Sequence, residues 1–141
     1  KDKLSNVQNI KIEINKRGFG SRYEVKHYLG IAMQVMIKED MFANKLVAMH
    51  ERIGKTNRDI FDVWFFFNNN WDINPKIIEN RTQMNFSDFL KKCIDDLEHF
   101  NNRNILSGVG ELINEKQKAW VKSKLISETI FLIKLRLSNI S

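Results

Sequence analysis

ANKLVAMHERIGKTNRDIFDVW, residues 43–64, contains two apolar segments separated by IGKTN, and its reading decides the rest. From Glu39 onward Phe42, Leu46, Met49 and Ile53 recur at spacings of four, three and four, which is the helical period. Gly54 is placed to stop that helix. Thr56 followed by Asp59 has the spacing of a capping box for a second helix, predicted over roughly 57–68. That second helix is apolar nearly all round (Ile60, Phe61, Val63, Trp64, Phe65, Phe66, Phe67), so it is expected at the centre of its domain. Charged residues sit close to these apolar faces. Lys45 and Arg52, seven apart, share a side of the first helix with Ala48 and Met49, and Asp59 and Asp62, three apart, share a side of the second. A lysine near a buried helix is costly unless it is paired or holds an anion. A tight helical hairpin would bring Lys45, Arg58 and Asp59 toward one zone. Two outcomes satisfy that placement: a structural ion pair with Asp59 as a cap, or a charged cleft.

Upstream of this stretch the period changes to two. In VQNIKIEIN, residues 7–15, Ile10, Ile12 and Ile14 alternate with Lys11, Glu13 and Asn15, the pattern of a strand with one buried face. NKRGFGS follows as a turn. Tyr23, Val25, His27 and Leu29, then Ile31, Met33, Val35 and Ile37, continue the alternation. Downstream, Asn74-Pro75 reads as a helix start and Phe86-Ser87 as another, leading to a helix near 88–100 with Phe89, Cys93, Leu97 and Phe100 on one side. Residues of about 111–138 read as one broken or two consecutive amphipathic helices. The predicted fold class is α+β: a small N-terminal antiparallel β portion over 1–38, then a mainly helical bundle over 39–141.

With 141 residues and 43% hydrophobic content the chain suits one packed domain, and no apolar run reaches the length of a membrane span. One cysteine, Cys93, makes no internal disulfide and suits a reducing cytoplasm. His27, His50 and His99 lack metal-ligand spacing, GVG at 108–110 is too short for a dinucleotide fingerprint, and serine-nucleophile motifs are absent. A net charge of +6 suits an anionic partner as well as it suits a plain solvated surface. Glu13, on the polar face of its strand, is placed either to hold Mg2+ over a cleft or to pair with a surface lysine. The chain opens with Lys1 and enters strand-like sequence within about ten residues, so it is expected to be a piece of a longer protein.

ANKLVAMHER followed by RDIFDVWFF resembles the helical half of the AbiEii/AbiGii family of nucleotidyltransferase-like toxins, whose pattern is (A/E)-E-K-L-x-A-(L/M)-x-x-R and then R-D-x-(Y/F)-D-(L/V). KIEI lies upstream at the expected distance, and the resemblance covers about residues 7–70. It implies a polymerase-β-type nucleotidyltransferase sheet, of which the β portion would be a remnant. It also implies a site in which Glu13 is the third metal carboxylate, Lys45 holds the nucleotide triphosphate and Asp59 completes the centre. Arg52 and Arg58 would assist nucleotide binding, and Asp62 would support it. The implied cofactor is Mg2+. The implied partners are an NTP, an RNA acceptor such as a tRNA end and a cognate antitoxin of a phage-defence system, with no membrane. Asn44 departs from the family's acidic residue before the lysine. The family's Gly-Ser turn and Asp-x-Asp pair are absent, so the chain alone is expected to be catalytically incompetent. The competing expectation is a non-enzymatic helical module binding RNA or protein, in which the same charges are only ion pairs.

Overall fold

The computed structural model of the protein describes residues 20–102, 105–106 and 113–140. The strand expected at 7–15, with Glu13, lies outside the described residues. Among those described, the architecture is α+β, a two-stranded antiparallel hairpin followed by a helical bundle.

Strands β1 (Tyr23–Tyr28) and β2 (Ile31–Met36) pair from Tyr23↔Met36 to Tyr28↔Ile31. The two residues between them both take positive φ, Leu29 at 51° and Gly30 at 78°. Tight hairpins need that backbone to match strand twist. The predicted strand faces extend slightly too far. Leu29 forms the turn, Ile37 leaves the strand to precede the next helix, and Met36, opposite Tyr23 and on its face, is buried.

Helix α1 (Lys38–Arg52) carries Glu39 and Asp40 in its first turn, where carboxylates complement the helix dipole. It buries Phe42, Ala43, Leu46, Val47 and Met49 and ends two residues before Gly54, which adopts φ 86°. Helix α2 (Arg58–Asn68) starts from Asn57 with no side-chain cap. The expected Thr56–Asp59 capping box does not form, because the Asp59 carboxylate is drawn back to cations of α1. Ile60, Val63 and Phe67 of α2 are buried, but Phe65 is 46% exposed, so this helix is flanked rather than encased. Phe42 meets Phe66 and Phe67 edge-on at centroid distances of 5.4 and 4.6 Å. Each such contact adds roughly 1 kcal/mol beyond area burial.

Helix α3 (Pro75–Thr82) begins as expected, with the Asn74 side chain accepting from the Lys76 N–H at 3.1 Å and proline in the first turn. Helix α4 (Phe86–Glu98) starts two residues before the predicted 88, capped by Asn85 accepting from the Asp88 N–H. It buries Phe89, Leu90, Cys93, Ile94 and Leu97. The last helical run is α5 (Glu115–Trp120), a π-helical turn (Val121–Leu125) and α6 (Ile126–Ser138). Asn114 and Gln117 form a complete capping box at its start. The break foreseen there is the π turn. Wider winding frees carbonyls from their usual partners, and Asn102 donates to the Lys122 carbonyl at 2.8 Å. Helices α2 and α4 both pack on α6, and α1 packs on α2 and α3. Among the described residues no helix is long and apolar enough to cross a membrane.

Candidate functional site

The α1–α2 hairpin brings four of the predicted site residues together. Lys45 Nζ donates to Asp59 Oδ1 at 3.3 Å and lies 3.1 Å from Asp62 Oδ2. Arg52 grips the same aspartate with two bonds, Nε to Oδ2 at 3.0 Å and Nη2 to Oδ1 at 2.9 Å. Spacing explains the convergence. Positions 45 and 52 are two turns apart on α1, and both reach the first turn of α2 across the IGKTN connection.

Asp59 is enclosed, with 3% of its side chain exposed, whereas Lys45 is 28% and Arg52 52% exposed. The buried carboxylate therefore acts as an anchor that fixes two cations side by side at the surface. The donor inventory supports this. An ammonium has three N–H groups and a guanidinium five. Lys45 spends two on the aspartates and Arg52 spends two on Asp59, so one and three, respectively, remain beyond these ion pairs. Arg58 is exposed on α2 and makes no ion pair among the described residues, and Lys55 is exposed on the connection. The arrangement leaves cationic N–H donors at the surface, where an anion could accept from them.

It does not present a metal site. Both Asp59 oxygens already accept from cations, and among the described residues no group of three His, Cys, Asp or Glu side chains could hold a metal ion. Burial pushes the Cys93 thiol well up, so it stays protonated and inert.

A second polar group, not foreseen from the sequence, lies on the neighbouring face of α1. Asp40, fully buried, accepts from the Arg22 guanidinium at 3.0 and 3.1 Å, from the Arg22 backbone N–H and from Asn74 Nδ2 at 2.9 Å. Burial raises its pKa, but the hydrogen bonds from Arg22 and Asn74 outweigh this and hold the carboxyl below its ordinary range. Asn44 donates to the Asp40 carbonyl and to Ser21 Oγ, both at 2.9 Å, and accepts from Arg81 Nη1 at 3.1 Å. The departure at position 44 is thus satisfied locally, since an amide both donates and accepts.

The family described as "Nucleotidyl transferase AbiEii toxin, Type IV TA system" matches residues 4–122. No curated protein and no solved structure matches the chain. The match spans both the hairpin and the charged α1–α2 centre, and the chain therefore belongs to the AbiEii family of nucleotidyl transferase toxins of type IV toxin–antitoxin systems.

Proposed function

We propose that the α1–α2 centre is the nucleotide-gripping part of a nucleotidyltransferase toxin, with Lys45 and Arg52 binding the triphosphate of an NTP. The observation that carries this is the convergence of both cations on buried Asp59, with one N–H of Lys45 and three of Arg52 left beyond their ion pairs with Asp59 and Asp62. Preorganised cations of this kind stabilise charge on transferring phosphates by several kcal/mol. In the reaction an acceptor hydroxyl attacks the α-phosphorus, the bond to the β-phosphate breaks and pyrophosphate leaves. Lys45 and Arg52 hold the leaving phosphates. Asp59 orients both cations, Asp62 restrains Lys45, and Arg58 adds positive charge at the rim. Membership of the family implies a nucleotide substrate and an antitoxin partner. The acceptor in this reading is RNA, a tRNA end, reacting in the cytoplasm as part of phage defence. The described residues do not fit Mg2+. Glu13, outside them, is the residue of this chain proposed to hold it. The chain on its own is proposed to be inactive.

The test is transfer of labelled NTP to total RNA by the full-length protein. Label is expected on RNA with the unmodified protein and absent with Lys45→Ala and with Glu13→Gln. Undiminished transfer by Lys45→Ala would refute the reading. An absence of transfer with every NTP would favour the binding module, for which the ion-pair closure of Asp59 already speaks.

A further inference from the structure

We infer that Arg81 is a positioning residue for the nucleotide grip, acting through the rotation of α1. The inference rests on the proposed function above. Arg81 stands on α3, and its side chain is only 7% exposed. Its guanidinium forks, Nη1 donating to Asn44 Oδ1 at 3.1 Å and Nη2 to Glu51 Oε1 at 3.2 Å. These two acceptors are seven residues apart on α1, and each directly precedes a residue of the grip, Asn44 before Lys45 and Glu51 before Arg52. Asp59 bridges 45 and 52 from α2; Arg81 bridges 44 and 51 from α3.

Helix α1 is thereby held at two faces about 100° apart. One bridge alone leaves the helix a hinge line about which it can turn. Two adjacent bridges, each spanning two turns, remove that freedom. Side-chain heads lie about 5–6 Å from a helix axis, so a 10° rotation moves the Lys45 ammonium by about 1 Å. A misplacement of that size in a preorganised charge can cost up to about 100-fold in rate. The bond to Asn44 also ties the fork to Ser21 and the Asp40 carbonyl, so the position of Arg81 is itself fixed by the hairpin side. A lysine at 81 would keep the positive charge but could not span both acceptors, because a fork is needed to reach two separated oxygens.

The test compares steady-state transfer by the full-length protein, with NTP and RNA, well below its melting temperature. Arg81→Lys is expected to lose about tenfold in kcat/KM, mostly in kcat. In an Arg52→Lys background, where the grip is already displaced, the same change should cost less than about threefold. Glu51→Gln, at a half-exposed position where folding is safe, should lose about threefold and serves if Arg81→Lys fails to fold. Activity of folded Arg81→Lys within twofold of wild type overturns the inference, and so does a loss of equal size in the Arg52→Lys background. If Lys45→Ala abolishes transfer while Arg81→Lys is silent, only this inference falls. Should Lys45→Ala be fully active, the proposed function falls and Arg81 has no grip to position.

Discussion

Asp59→Asn isolates what the anchor contributes, because it removes one charge and almost no volume. In the native protein the carboxylate accepts two bonds from Arg52 and one from Lys45 while only 3% exposed. An asparagine keeps one acceptor oxygen and turns an NH2 group toward cationic N–H donors. At least one charge-assisted bond is lost outright, worth about 1.5–3 kcal/mol. The attraction between a buried anion and two cations goes with it. Against this, Lys45 and Arg52 are partly exposed and water re-solvates them, so the full 3–5 kcal/mol seen for breaking a buried pair is an upper bound. A net loss of about 2–4 kcal/mol is expected, or roughly 6–12 °C in Tm for a chain of this size. Asp62→Asn is the matched control. Asp62 is 28% exposed and touches only Lys45 of the pair, so its loss should stay below about 1 kcal/mol. Thermal melts and urea titrations of the two variants measure the difference. A Tm for Asp59→Asn within 2–3 °C of wild type, or equal to that of Asp62→Asn, would refute the anchor and leave an incidental surface pair.

Three further outcomes follow from the fold. Leu29 holds φ 51° at an 84% exposed turn position, so Leu29→Asn should stabilise the hairpin by about 0.5–1 kcal/mol, read as slower amide exchange in β1 and β2. The Asp40 carboxyl is depressed below its unfolded value of 3.8, so its contribution is present above that pH and is lost as pH falls through the lower folded value. Acid titration of Asp40→Asn should accordingly show lower stability at neutral pH and a shallower fall below about pH 4, and parallel curves would contradict the assignment. Asn102→Ala leaves the Lys122 carbonyl without its donor, costing about 1 kcal/mol and accelerating amide exchange around the π turn.

The α+β order and the helix starts were legible because they depend on local chemistry. Alternation marked the hairpin, Asn74-Pro75 marked α3, and Gly54 marked the end of α1. The meeting of Lys45 with Asp59 was legible too, with Arg52 and Asp62 on the same helix sides, since two helices joined by a tight connection leave little choice of facing residues. Thr56–Asp59 misled for a physical reason: capping spacing describes a local bond, and a buried carboxylate gains more from two cations than from one backbone N–H. Arg22, Asp40 and Arg81 were invisible because their partners lie 18 to 37 residues away in the chain. No periodicity encodes such distances. Glu13 gains nothing from the fold, as it stands outside the described residues.

The paired seven-residue bridges on α1 also dictate where this chain can change length. One residue inserted between Lys45 and Arg52 would swing Arg52 and Glu51 by about 100° and lift them by 1.5 Å, detaching both from Asp59 and Arg81 in a single event. A deletion there would do the same with the opposite sense. The span from Asn44 to Arg52 therefore behaves as a fixed ruler, and changes of length belong beyond Arg52, where the connection to Asn57 carries neither bridge.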